Sequence, residues 1–156
     1  DQWGMFGSSD IGHLFNAIEL GALPWDNLAE YMERSPVTYA KNIRTPLLIL
    51  HSEDDLRCPI GQAEQLFVAL KKLRKDVLFV RFPDENHELS RSGKPRHRLT
   101  RFRFILDWFA KYLHSQHPHH PKCGQDVVRR VGEESGDEAP RPLVRPRPQE
   151  SAHEHG

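Results

Sequence analysis

The sequence predicts an α/β fold, in which parallel strands alternate with helices that pack on the sheet. Two continuous apolar runs, at residues 46–51 and 77–82, are typical of strands with both faces covered. A segment with apolar residues at three-to-four spacing follows each run, as expected for a helix that packs on a sheet. The order strand, helix, strand, helix then predicts parallel strands joined by right-handed crossovers.

Composition divides the chain into a folded part and a tail. Residues 115–156 carry six of the twelve prolines, five of the ten histidines and no aromatic residue. Such a segment cannot bury enough apolar surface to offset the roughly 1–2 kcal/mol of backbone entropy lost per ordered residue. We therefore expect a partial α/β domain over residues 1–114 and a disordered tail over residues 115–156.

Charge and cysteine content exclude several classes of protein. The chain has 22 basic and 22 acidic side chains, so its zero net charge gives no indication of nucleic acid or an anionic membrane as partner. No apolar run approaches the roughly 20 residues that span a bilayer. Two cysteines cannot form a disulfide framework, which favours a reducing, cytoplasmic location. The basic residues from Arg91 to Arg103 lack a base-stacking aromatic platform and are interpreted as a solvated loop that leads into the last helix.

Two short helices are expected before the first strand. The first is capped by residues 8–10, continues to Leu20 and ends at Gly21. The second runs from Pro24 or Asp26 to Arg34 and stops before a proline. The apolar side chains that should face inward are Ile11, Phe15, Ile18, Leu28, Tyr31 and Met32.

Two longer helices follow the strands, one from Pro59 to about Leu73 and one over about residues 99–113. Their expected buried stripes are Ala63, Leu66, Phe67, Leu70 and Leu73, and Phe102, Ile105, Leu106, Phe109 and Leu113, with Trp108 beside the second stripe. A buried parallel strand needs neighbours on both sides, which two strands cannot provide. Because the chain opens on Asp1 instead of Met, we expect the missing strands to precede it in a longer protein.

Polar loops follow both strands, at residues 51–59 and 83–89. The carboxyl ends of parallel strands meet at one edge of a sheet, where open α/β sheets bind ligands. A carboxylate from the first loop can therefore meet the imidazole of His87, which would hold the tautomer that leaves the other ring nitrogen free to take a proton. The spacing alone favours the alternative, in which His87 is a solvated loop histidine among acidic neighbours.

Several motifs resemble one family in their identity and order. They lie at residues 51–59, 64–67, 81–83, 86–87 and 90–95, with further likeness at residues 3–12 and 34–36. Together they resemble the C-terminal part of the catalytic domain of the prolyl oligopeptidase family, in the branch of acylaminoacyl-peptidases and dipeptidyl-peptidases. The likeness extends from residue 1 to about residue 113 and includes none of the tail.

The resemblance implies the C-terminal half of an α/β-hydrolase sheet and a serine-type peptidase that cleaves short peptides through an acyl-enzyme. It assigns the acid of the triad to Asp55 and the general base to His87, and leaves Glu53 and Asp54 as solvated loop charges. Arg57 matches a position that holds a substrate carbonyl or carboxylate in some members, although a salt bridge to a loop acid is the alternative. The resemblance implies no cofactor and no metal.

The nucleophile of the family is missing from this sequence. The family places its serine in a G-x-S-x-G turn between a strand and a helix. Gly7-Ser8-Ser9-Asp10-Ile11 begins this pattern but lacks the closing glycine, and its serines are interpreted as helix caps. We therefore expect the chain to need the upstream half of its own catalytic domain as partner, and to be inactive alone.

Weaker candidates and other functions remain open. Cys58 is interpreted as an inert thiol instead of a nucleophile or metal ligand, and the tail histidines match no closed metal site. An esterase or another α/β-hydrolase would use the same acid and histidine. A non-catalytic module that kept the scaffold is the third possibility.

Overall fold

The structure, a computed structural model, describes residues 1–113 and 128–132. Its strands are β1 (Leu47–Ser52), β2 (Val77–Phe82) and β3 (Val128–Arg130). Its α-helices are α1 (Gln2–Ser8), α2 (Gly12–Leu20), α3 (Leu28–Glu33), α4 (Gly61–Lys72), α5 (Leu89–Ser92) and α6 (Pro95–Leu113), and a 3-10 helix spans Pro36–Asn42.

The described strands form a parallel sheet in the order β1-β2-β3. Leu47 lies opposite Val77 and Ser52 lies opposite Phe82, so β1 and β2 end level with each other. This confirms the predicted α/β class and the two predicted strands, whose bounds differ by at most one residue. Leu78, Val80 and Phe82 of β2 lie in or against one hydrophobic cluster and Val77 lies in another, in line with the period-two geometry of a strand.

Helix α4 packs on one face of the sheet, and its predicted stripe is confirmed. Leu70 is fully buried, and the other members of the stripe are buried or half-buried. Around it lie Val77 of β2 and Ala40 of the 3-10 helix. The other face of the sheet carries Val80 and Phe82, against which Phe104 of α6 packs.

The expected burial of the other helices is mostly wrong. Tyr31 is fully buried, but most of the side chains predicted to face inward with it are exposed. These exposed side chains, with 45% to 77% of their surface accessible, are Phe15, Ile18, Leu28, Met32, Phe102, Leu106, Phe109 and Leu113. The described residues provide no layer to cover them, and α6 meets the sheet through His97 and Phe104 instead.

Helix boundaries also differ from the predictions at both ends of the chain. Helix α6 begins at Pro95, four residues early, so most of the basic residues from Arg91 to Arg103 lie on a helix and not in a loop. Proline suits the first turn of a helix, and the polar His97 hides the apolar period there. Helix α1 was not predicted because Gly4 and Gly7 disfavour an isolated helix.

The prediction that the whole tail is disordered is wrong for residues 128–132. Residues 128–130 form β3, and the Val131 backbone N–H donates to the Arg81 carbonyl at 3.0 Å. A free strand edge offers unpaired backbone groups that favour pairing with such a segment. The rest of residues 115–156, including the tail histidines and Cys123, lies outside the described residues.

Candidate active site

The loops after β1 and β2 stay paired beyond the ends of the strands. The Glu53 backbone N–H donates to the Phe82 carbonyl at 2.9 Å, and the Asp54 N–H donates to the Glu85 carbonyl at 3.0 Å. These two bonds continue the parallel pairing of the strands into the loops. They bring Asp55 and His87 to the same edge of the sheet.

Asp55 and His87 are in hydrogen-bond contact at this edge. His87 Nδ1 lies 3.0 Å from Asp55 Oδ2 and 3.2 Å from Oδ1. Asp55 is 8% exposed, whereas the His87 side chain is 44% exposed. Because Nδ1 faces the carboxylate, the other ring nitrogen is available to a third group. This geometry matches the contact predicted from the two loops.

The backbone of the same loop fixes the Asp55 carboxylate. The Cys58 N–H donates to Asp55 Oδ1 at 2.7 Å. Burial raises the pKa of the Cys58 thiol, and the negative charge of Asp55 raises it further. The thiol is therefore protonated at neutral pH, in line with the interpretation of Cys58 as an inert residue.

A cleft of about 270 Å³ opens beside the pair. Asp55, His87 and Cys58 line it, together with Arg101 from α6. Sequence reasoning did not single out Arg101, because it treated the basic residues of this segment as solvated charges. Ser52 and Ser90 also line the cleft, but neither has the flanking glycines of a G-x-S-x-G turn.

Arg57 is bound to Asp10 in this structure. Its Nε donates to Asp10 Oδ1 at 2.8 Å, and a second guanidinium nitrogen donates to Oδ2 at 3.3 Å. The hydrogen bond from Arg57 lowers the pKa of Asp10. This is the salt-bridge alternative considered for Arg57, and Arg57 does not line the cleft. Its role toward substrate stays a prediction.

The interpretation of Ser8 and Ser9 as caps of α2 is wrong. The N-cap of α2 is Ile11, without a side-chain capping bond. Ser9 Oγ donates instead to the Arg57 carbonyl at 2.7 Å, and Ser8 Oγ donates to the Gly4 carbonyl at 2.6 Å. Ser9 thus ties the segment before α2 to the loop that carries Asp55.

Glu53 is not the solvated charge that the sequence predicted. It accepts from Arg81 Nε at 2.9 Å and from Arg130 at 2.8 Å, while Arg81 also donates to Glu64 at 2.8 Å. Burial raises the pKa of Glu53, but the hydrogen bonds and charges of Arg130 and Arg81 outweigh burial and hold that pKa below its usual value. Asp54 is exposed, as expected.

Two buried polar residues beside the pair escaped sequence reasoning. Glu85 and His97 are almost fully buried, and His97 Nδ1 lies 2.7 Å from Glu85 Oε1. For Glu85, the only available signal was its position two residues before His87. An acidic residue in a polar loop and a histidine among basic residues both predict exposure, and so neither was expected in the interior.

The described residues contain neither a membrane-spanning helix nor a cluster of metal-binding side chains. Within residues 1–113 and 128–132, no helix is both long and apolar enough to cross a membrane. In the same residues, no group of three or more His, Cys, Asp or Glu side chains is arranged to hold a metal ion.

Known proteins share this sequence and fold over the described domain. Residues 2–116 match the prolyl oligopeptidase family. The uncharacterized peptidase YuxL of Bacillus subtilis is 50% identical over 107 residues, which are 69% of this chain and 16% of that protein. The acylamino-acid-releasing enzyme of Arabidopsis thaliana is 34% identical over 87 residues, which are 56% of this chain and 11% of that protein.

A solved structure extends the comparison to the fold. The acylaminoacyl peptidase of Pyrococcus horikoshii superposes with a TM-score of 0.71 and 34% identity, covering 77% of this chain and 20% of that one. The chain thus spans between a tenth and a fifth of these relatives. The likeness confirms the predicted α/β-hydrolase class. Since the family match covers most of the chain, this chain belongs to the prolyl oligopeptidase family.

Proposed function

We propose that this chain supplies the acid and the general base of a serine-type peptidase that cleaves short peptides through an acyl-enzyme. Asp55 is the acid and His87 is the base. The observation that carries the proposal is the contact of 3.0 Å between Asp55 Oδ2 and His87 Nδ1 at the carboxyl edge of a parallel sheet. Membership of the prolyl oligopeptidase family supports peptide bonds as the substrate class.

The proposed chemistry follows from the two ring nitrogens of His87. With Nδ1–H donating to Asp55, Nε2 accepts the proton of a serine hydroxyl as that oxygen attacks the substrate carbonyl. The imidazolium that forms is stabilised by the buried Asp55 carboxylate and then protonates the leaving amine. In the second half of the reaction His87 takes a proton from water, which attacks the acyl-enzyme and releases the acyl group from the serine.

The nucleophile comes, in this proposal, from an upstream half of the catalytic domain. The chain has no G-x-S-x-G turn, and it spans only 11% to 20% of the relatives compared above. The exposed apolar side chains of α2, α3 and α6 support a further layer of structure against these helices. We call this chain joined to its serine-bearing upstream half the complete enzyme. A cytoplasmic location is part of the same proposal.

Active-site labelling tests the proposal. A fluorophosphonate probe should leave the isolated chain unlabelled and should label the complete enzyme at the upstream serine. His87→Ala should abolish labelling and lower kcat by about 10³-fold or more. His13→Ala, at an exposed histidine on α2, is the matched control and should keep full activity.

The outcomes separate the alternatives. Unchanged turnover in the His87→Ala variant would contradict a catalytic role for this chain and favour a non-catalytic module attached to an active site elsewhere in the protein. Turnover of ester substrates without turnover of acylated peptides would keep the triad but assign the enzyme to the esterases.

A further inference from the structure

Glu85 occupies a central position in the loop that carries His87. Glu85 is 4% exposed, and its Oε1 accepts from the Lys94 backbone N–H at 2.9 Å and from His97 Nδ1 at 2.7 Å. Both donors belong to the beginning of α6 or to the residue just before it. The carboxylate therefore anchors the loop after β2 to the N-terminal turn of a 19-residue helix.

The same residue also holds the loop that carries Asp55. The backbone carbonyl of Glu85 accepts from the Asp54 N–H at 3.0 Å. Glu85 thus bonds through its carbonyl to the neighbour of the acid and lies two residues from the base. The turn just before Glu85 has an uncommon conformation, because Asp84 has a left-handed backbone with φ of 55°.

His97 is buried beside Glu85 and packs against the sheet. It is 3% exposed, and its ring packs edge-on against Phe82 at a centroid distance of 5.9 Å. Gly93 adds a second constraint, since a Cβ there would lie 2.8 Å from Glu85 Oε2 and 2.4 Å from the Leu89 carbonyl. The carboxylate has little room to move unless the turn before α6 moves with it.

We propose that the buried Glu85–His97 hydrogen bond positions His87 against Asp55, so that Glu85 and His97 are positioning residues of the triad. This inference rests on the proposed function. A buried carboxylate that loses a donor must turn toward another donor or toward water. In this loop such a turn displaces the backbone two residues before His87, and a displacement of about 1 Å at a reacting group can cost about 10²-fold in rate.

Two substitutions at His97 test the proposal in the complete enzyme. His97→Phe keeps the ring and its packing on Phe82 but removes the donor to Glu85. His97→Asn is smaller but returns an N–H near the position of Nδ1. With kcat expressed per fluorophosphonate-titrated site, we expect a 10- to 100-fold loss for the Phe variant. We expect the Asn variant to recover most of that loss, and KM to stay within about twofold in both.

A second pair at Glu85 covers the case in which His97→Phe does not fold. Glu85→Gln keeps an oxygen that accepts from both donors, whereas Glu85→Ala removes it. The Gln variant should retain most of kcat, and the Ala variant should lose it. The proton NMR signal of His87 Nδ1–H, recorded on the complete enzyme, should move or disappear in the variants that lose the hydrogen bond.

The results distinguish this inference from the proposed function. If His87→Ala abolishes turnover but His97→Phe and Glu85→Ala keep normal kcat per titrated site, the positioning role is overturned and the triad stands. The positioning role would also be overturned if His97→Asn were no more active than His97→Phe and Glu85→Gln no more active than Glu85→Ala. The hydrogen bond would then not be the determining feature. If His87→Ala leaves turnover unchanged, the proposed function itself fails.

Discussion

The carboxylate of Asp55 is oriented before any substrate arrives. The Cys58 N–H donates to Oδ1, and His87 Nδ1 lies within 3.2 Å of both oxygens. Asp55→Asn places a neutral amide in this site, which can hold the wrong tautomer of His87 and cannot stabilise the imidazolium. We expect kcat of the complete enzyme to fall by about 10⁴-fold with little change in KM. Asp54→Asn, at the exposed neighbour, should leave kcat unchanged, and a loss below tenfold for Asp55→Asn would contradict the assigned role.

The role of Arg57 can be assigned by comparing substitutions of Arg57 and of its salt-bridge partner Asp10. If Arg57 binds substrate, Arg57→Ala should raise KM about tenfold or more, because a charge-assisted bond to the substrate is lost. Asp10→Ala, which frees the guanidinium from its salt bridge, should leave KM unchanged or lower it. Steady-state kinetics of the two variants decides the question. Equal KM values in both variants would leave Arg57 with the salt bridge alone.

Glu53 makes part of the stability of the fold dependent on pH. Its pKa is below the ordinary value in the folded state, because the arginine hydrogen bonds and charges outweigh the opposing effect of burial. The stabilisation is therefore complete above the unfolded-state pKa and is lost as the pH falls through the lower folded-state pKa. We expect Glu53→Gln to lower the free energy of unfolding by about 1 kcal/mol at pH 7.

The pH profile of that difference is the decisive measurement. Urea unfolding of the wild-type protein and of the Glu53→Gln variant should give a difference in unfolding free energy that is constant near neutrality and shrinks below about pH 4.3. Glu19→Gln, at an exposed position on α2, is the control and should show no such profile. A difference that grows as the pH falls would contradict the assignment.

At the scale of elements, predictability followed the strength of the apolar period. The buried runs that became β1 and β2 could be located within a residue, and the stripe of α4 was correct because its apolar side chains meet one continuous surface. Helix α6 is apolar on two faces, so periodicity could not say which face meets the sheet. Strand β3 is three residues long, which is too short for any period to be detected.

Some contacts of the candidate site could likewise be predicted from the sequence, and others could not. The contact between Asp55 and His87 follows from parallel topology, and the family resemblance selects Asp55 among three adjacent acids. The Glu85–His97 hydrogen bond depends on how the turn before α6 folds back on the loop, which local sequence does not reveal. The salt bridge of Arg57 depends on Asp10, which lies 47 residues away in the chain.

Packing between α1 and α2 depends on Gly12. A Cβ at this position would lie 1.9 Å from the Met5 carbonyl oxygen and 2.9 Å from the Phe6 carbonyl oxygen, both of them backbone atoms. Because backbone cannot move aside cheaply, we expect Gly12→Ala to lower the free energy of unfolding by about 2 kcal/mol or more. Gly7→Ala is the matched control, since no atom lies within 4 Å of its added Cβ. It should leave stability unchanged or raise it by up to about 1 kcal/mol in the same urea titration.

At the scale of the whole molecule, the exposed apolar face of α6 carries the proposal that this domain is completed by an upstream half. Leu106 is 66% exposed and lies between Phe102 and Phe109 on the face that turns away from the sheet. If the upstream half covers this face, Leu106→Glu buries a charge without a partner in the complete enzyme. We expect the thermal midpoint to fall by several degrees, which corresponds to about 2–3 kcal/mol.

Two comparisons make this prediction decisive. Asp107→Glu, at the exposed neighbouring position, should leave the midpoint of the complete enzyme unchanged. In the isolated chain, whose described residues leave this face exposed, Leu106→Glu should not destabilise the fold and should reduce self-association measured by sedimentation. An unchanged midpoint for Leu106→Glu in the complete enzyme would mean that this face stays in water there. The serine-bearing half would then have to join the domain along a different surface.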